Sequence, residues 1–224
     1  MLRALLYTVG RTLIALYARF FLELDILWQA PLPPGPKLIV ANHPSFSDPF
    51  ALALLSSRPI SLLITSVAFL IPVLGLYLRW SRHIPVVEDA GRPAFDEALS
   101  QLKSGKSVAL FIEGHYSPPE GGFCEPRTGA ARLALSAGVP IVPVGIHLPR
   151  ERLRRINSRI KGETYPQYWY LRGPLRMTVG TPIHLDGDVE DRPHVVAESQ
   201  RIMRRIVDLV EQGEAFVKEK LGQR

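Results

Sequence analysis

At 224 residues and 46% apolar composition, the chain suits one α/β domain with a small appendage and is too apolar for a disordered segment. Its net charge of +6 points to anionic partners: lipid headgroups, nucleic acid or phosphorylated substrates. A single cysteine, Cys124, excludes an intrachain disulfide and a cysteine-rich metal site, and the six histidines show no ligand-like spacing, so no metal site is expected.

Residues 1–28 are mostly apolar and aromatic, but Arg3, Arg11, Arg19, Glu23 and Asp25 interrupt them. The longest uncharged runs there, Ala4–Gly10 and Thr12–Ala18, are seven residues each. A membrane span needs roughly 20 apolar residues, so a clean span is not expected. Nor is there a small-residue cleavage site of the secretory kind. The pattern predicts a helix lying in the bilayer interface with its arginines reaching for headgroups. A helix packed on the domain is the alternative. Four prolines in the six residues Pro31–Pro36 then enforce an extended linker, which divides the chain into a helical segment over 1–36 and a domain over 37–224.

The domain opens with Leu38–Ala41, a short apolar run that reads as a buried strand. Asn42 and His43 follow, then a Pro/Ser turn, then Asp48-Pro49 at the start of an apolar helical stretch, with Asp48 as a helix cap. A histidine at a strand end, with a carboxylate five residues on, is arranged so that a tight turn folds the acid onto the imidazole. That pair can act as a base with its orienting partner, taking a proton from a substrate hydroxyl.

Residues 61–78 are an 18-residue uncharged run, but Pro72 and Gly75 interrupt it. It reads as a strand over 61–65 followed by a short apolar helix or loop. The stretch Trp80–Val87, with Arg82, is a loop leading into a short strand, and Arg92–Gly105 is an amphipathic helix. The strand Ser107–Ile112 ends in Glu113-Gly114-His115-Tyr116-Ser117. Gly105-Lys106-Ser107 is no phosphate loop, because Ser100 stands where the upstream glycine is needed and a strand follows. After a Pro/Gly-rich loop, a helix over 129–136 stops at Gly138, and Val139–Gly145 is another buried strand. Residues 150–161 hold six basic side chains and one acid, either a solvated face or a membrane-facing patch. Strand-like runs at 168–171 and 175–179 precede a long helix over 195–221, which Gly213 is placed to break. Strands alternating with helices predict an α/β fold with a mixed central sheet flanked by helices.

Five stretches, in order, resemble the glycerolipid (lysophospholipid) acyltransferases related to 1-acylglycerol-3-phosphate acyltransferase. The first is Asn42-His43-Pro44-Ser45-Phe46-Ser47-Asp48, and the next is Phe111-Ile112-Glu113-Gly114-His115-Tyr116-Ser117. Arg127 with Gly129-Ala130, Val139–Val144 and Gly180-Thr181-Pro182-Ile183 are similar to later family features. The resemblance implies transfer of a fatty acyl group from acyl-CoA or acyl carrier protein to a lipid hydroxyl, without a further cofactor. It implies His43 as general base and Asp48 as its partner, with Glu113, Gly114, His115 and Tyr116 lining the acceptor pocket. It also implies a peripheral or monotopic enzyme of the cell membrane with its active site on the cytoplasmic side. Two family arginines that meet the acceptor phosphate are replaced here by Tyr116 and by the acids Glu88 and Asp89. Arg79, Arg82, Arg92 and Arg127 are the candidate substitutes, and the acceptor is left open between lysophosphatidate and a lyso-lipid, glycolipid or amine-bearing lipid with another headgroup. A catalytically silent lipid-binding module is the alternative function. A nucleic-acid-binding protein is disfavoured, since no such motif is present.

Overall fold

The run at 38–41 forms β2 (Leu38–Ala41), the middle strand of a seven-stranded sheet. All four residues are fully buried, as expected for a strand covered on both faces. Their side chains alternate between two apolar layers. Leu38 and Val40 meet helices α4 (Arg92–Lys103), α5 (Gly129–Ala137) and α6 (Arg192–Gly222), while Ile39 and Ala41 meet α1 (Leu2–Phe21) and α2 (Asp48–Leu52). The computed structural model describes residues 2–160 and 162–222, so the basic run expected over 150–161 is followed only as far as Ile160.

The other strands of this sheet are β1 (Leu24–Trp28), β3 (Ile60–Thr65), β4 (Ile84–Val86), β5 (Ser107–Phe111), β6 (Ile141–His147) and β9 (Leu175–Val179), in the order β1-β9-β6-β2-β5-β3-β4. Neighbours are parallel except β6 and β9, so the expected mixed sheet flanked by helices is present. Between β6 and β9 the chain makes a separate hairpin, β7 (Arg154–Ile160) with β8 (Glu163–Trp169). A further helix, α3 (Leu74–Trp80), lies between β3 and β4. Its neighbour His83 is buried, and His83 Nδ1 accepts the Leu62 N–H at 3.0 Å. Burial lowers the His83 pKa to about 4, so the ring is neutral there.

Three expectations change. The division at residue 36 does not follow the sheet, because residues 24–28 form its edge strand β1, paired in parallel with β9. An acid is tolerated in that strand because Asp25 meets the buried Arg176 of β9 at 2.5 Å. Second, Gly213 does not break the C-terminal helix, which runs unbroken through it. A Cβ there would lie 3.2 Å from Arg176 Cγ and 3.3 Å from His147 Cβ, so this glycine lets α6 approach the sheet closely. Third, the strand-like run placed at 168–171 begins earlier, at Glu163.

Helix α1 is packed on the domain along one side. Tyr7 and Ala18 are buried, Tyr7 donates to the Arg58 carbonyl at 3.2 Å, and Arg11 Nε donates to the Ser56 carbonyl at 3.1 Å. Its other side presents Val9, Leu13, Leu16 and Phe20, at helical spacing and each about half exposed or more. Gly10 lies close against Tyr77, so the exposed Leu76 and Trp80 of α3 extend this apolar surface. No helix among the described residues is long and apolar enough to cross a membrane.

Candidate active site

The site is built where β2 ends, between its two neighbours β5 and β6. Asn42, fully buried, fastens this end to β6. Its amide donates to the Ile146 carbonyl at 2.9 Å, and its side-chain oxygen accepts the Ile146 N–H at 2.8 Å. The next residue, His43, is held on the β5 side by both backbone groups. Its N–H donates to Glu113 Oε1 at 3.1 Å, and its carbonyl accepts the Ser117 N–H at 2.9 Å. The His43 ring stacks on Phe111 with centroids 3.7 Å apart and planes 6° apart, and Tyr116 lies against it at 4.5 Å. Backbone and ring are therefore both fixed before any substrate arrives.

Pro44–Ser47 turns the chain so that Asp48 Oδ2 sits 2.9 Å from His43 Nδ1. The Asp48 carboxylate is fully buried. It accepts the Ser45 N–H at 2.7 Å and the Ser45 hydroxyl at 2.6 Å. This corrects the helix-cap expectation: Ser47 occupies the cap position without a side-chain capping bond, and the Asp48 carboxylate serves the turn and the imidazole instead. The turn is tied to the end of β8, as Phe46 N–H donates to the Tyr168 carbonyl at 2.7 Å and Ser47 Oγ to the Tyr170 carbonyl at 2.9 Å. A carboxylate only accepts, so Nδ1 carries the shared proton and Nε2 keeps its lone pair. Nε2 makes no hydrogen bond among the described residues. Such an imidazole can take a proton from a hydroxyl placed against Nε2.

The other expected residues divide. Glu113 does not line an open pocket. It is fully buried, and besides the His43 N–H it accepts the Ser117 hydroxyl at 2.6 Å and the Cys124 N–H at 2.8 Å. Its place is under the site, joining β2 to the loop after β5. Gly114 turns with φ +74°, and a Cβ on it would come within 2.8 Å of Arg127 Nε, so the exposed Arg127 lies across this turn. Tyr116 is half-buried, and burial together with the Asp48 charge raises its pKa, so the phenol keeps its proton. His115 stands exposed, its Nδ1 3.2 Å from the Tyr116 carbonyl oxygen. Arg82 is not brought into the site. It precedes β4, the edge strand three places from β2, roughly 14 Å across the sheet.

One site residue went unnoticed in the sequence. Arg150, three residues beyond the end of β6, is half-buried and its Nη1 donates to the Pro44 carbonyl at 3.4 Å, next to His43. Burial lowers its pKa, and the fields of Asp48, Glu113 and Glu120 oppose that change. Its setting within a run of arginines hid it. The available signal was its position, just past the strand that flanks the Asn-His block.

Comparison with known proteins fits this geometry. A family model described as Acyltransferase matches residues 28–147. The chain is 33% identical over 132 residues to a 1-acyl-sn-glycerol-3-phosphate acyltransferase of Chlamydomonas reinhardtii, covering 55% of this chain and 38% of that protein. It is 29% identical over 134 residues to a chloroplastic 1-acyl-sn-glycerol-3-phosphate acyltransferase of Brassica napus, covering 58% of this chain and 38% of that one. The match thus spans less than two fifths of the length of these curated relatives. Among solved structures, the chain resembles the 1-acyl-sn-glycerophosphate (LPA) acyltransferase PlsC of Thermotoga maritima with a TM-score of 0.63 and 20% identity. That likeness covers 94% of this chain and 78% of the other, and it speaks to the fold.

Proposed function

The chain belongs to the acyltransferase family, and on that premise we propose that it moves a fatty acyl group from an acyl thioester to the hydroxyl of a lyso-lipid at a membrane surface. The observation that carries this reading is the 2.9 Å contact between His43 Nδ1 and Asp48, which leaves Nε2 available to a substrate hydroxyl. His43 Nε2 takes the acceptor's hydroxyl proton as the oxygen attacks the thioester carbonyl carbon. Asp48 holds the Nδ1 proton and stabilises the imidazolium. Collapse of the tetrahedral oxyanion expels the thiolate, which takes the proton back from Nε2, giving an ester and a free thiol. The protonated Tyr116 hydroxyl, beside the His43 ring, is a donor for a substrate oxygen. Acyl-CoA and acyl carrier protein are the candidate donors, and no other cofactor is needed for this chemistry.

The apolar face of α1, continued by Leu76 and Trp80, supports a peripheral or monotopic attachment in which the helix lies in the interface. The cytoplasmic side of the cell membrane suits it, since acyl thioesters are supplied there. The test is transfer of a labelled acyl group from acyl-CoA to a panel of lyso-lipids by purified protein in detergent. Both His43→Ala and Asp48→Asn are expected to remain folded and to lose roughly 100-fold or more of turnover. Equal turnover in wild type and folded His43→Ala protein would rule out the mechanism. Binding of lyso-lipid without transfer from either donor would favour the silent lipid-binding module.

A further inference from the structure

Asp48 and Glu113 are occupied on every side: Asp48 by His43 and Ser45, Glu113 by His43, Ser117 and Cys124. Arg150 is not. Among the described residues it forms no ion pair, and its one hydrogen bond is the long one to the Pro44 carbonyl. A half-buried guanidinium bears a desolvation cost that the charges of Asp48, Glu113 and Glu120 offset only in part. The remaining N–H groups form a planar fork of the kind that grips phosphate oxygens two at a time. This fork stands three residues past the end of β6, the strand directly beside β2 and its His43.

We infer that Arg150 is the headgroup-recognising residue of this site and selects a lyso-lipid whose phosphate lies next to the reacting hydroxyl. The inference deepens the acyl-transfer reading and rests on it for the word acceptor. In a 1-acylglycerol phosphate, the carbon bearing the phosphate adjoins the one bearing the free hydroxyl, so a phosphate held near Pro44 delivers the hydroxyl to the neighbouring imidazole. Tyr116, where a cation is missing, then faces the ester region rather than the phosphate.

Equilibrium binding on His43→Ala protein separates recognition from turnover. Lysophosphatidate and monoacylglycerol of the same chain length would be titrated in detergent micelles, with Arg150→Ala, Arg150→Lys and Arg159→Ala added to the same background. The preference for lysophosphatidate should fall roughly 10- to 100-fold in Arg150→Ala, the worth of a charge-assisted bond. Arg150→Lys should recover part of it, and Arg159→Ala, which removes the same charge from the exposed hairpin, should keep it. A preference unchanged in folded Arg150→Ala, or lost equally in Arg159→Ala, overturns the assignment. Arg150-dependent phosphate selection in a wild-type protein that transfers no acyl group would uphold this site and sink the acyl-transfer reading. Transfer with an intact preference in Arg150→Ala would do the reverse.

Discussion

Glu113→Gln separates a positioning role from a substrate contact. The carboxylate has about the shape of the amide, so the perturbation is chemical. One oxygen accepts from the His43 N–H and the Ser117 hydroxyl, the other from the Cys124 N–H. The amide oxygen can keep the first two bonds at neutral strength, losing roughly 1 kcal/mol on each, while its NH2 faces the Cys124 N–H at a cost of about 1–3 kcal/mol. Cheaper burial of a neutral group offsets part of this, leaving about 2–3 kcal/mol. For a chain of this length that is a fall of roughly 4–12 °C in Tm. One of the two bonds that hold the His43 backbone is weakened, so kcat should drop while KM for the lyso-lipid stays near wild type. Thermal melts in detergent and steady-state kinetics read both. An unchanged Tm with a raised acceptor KM would refute the reasoning and return Glu113 to the substrate pocket.

Two further outcomes follow from the same structure. His83 has its pKa depressed by burial to about 4 against 6.5 for an unhindered imidazole. Between those values the unfolded chain binds the extra proton, so stability is full above about pH 6.5 and is lost as pH falls toward 4. From pH 7 to pH 5 the loss should be about 2 kcal/mol, seen as a lower Tm that His83→Gln does not share. On α1, the double change Leu13→Glu and Phe20→Glu places charge on the exposed apolar face without touching buried Tyr7 or Ala18. Flotation with phospholipid vesicles should fall at least tenfold with the melting curve retained, and equal flotation would remove α1 from the membrane interface.

Legibility followed burial. β2 and β6 are covered on both faces, so their apolar runs announced them, and the Asn-His block at the end of β2 placed the site. β1 was hidden because Leu24–Trp28 contains Asp25, and only the distant Arg176 makes that acid acceptable in a strand. The β7–β8 hairpin was hidden in part because it has little core of its own: Arg154–Ile160 is largely exposed, so apolar residues do not alternate along it. The Asp48 contact was foreseen from spacing, but its bonds to Ser45 were not, since a helix-start signal and a turn-closing acid have the same sequence. Arg150 shows the opposite failure. Charge counted along a run says nothing about which member the fold half-buries.

The strand that carries α1 also decides how the helix bears load. β1 runs parallel to β9 over five paired residues, Leu24 through Trp28, and the helix is attached at its leading end. Tyr7 and Arg11 hold the other half of the helix against the Arg58 and Ser56 carbonyls just before β3, so a pull on α1 is shared between those contacts and the β1–β9 ladder. The Asp25–Arg176 contact lies inside that same joint. A lipid layer tugging on α1 would meet a rivet rather than a tether, and the height of His43 above that layer would be set by the sheet itself.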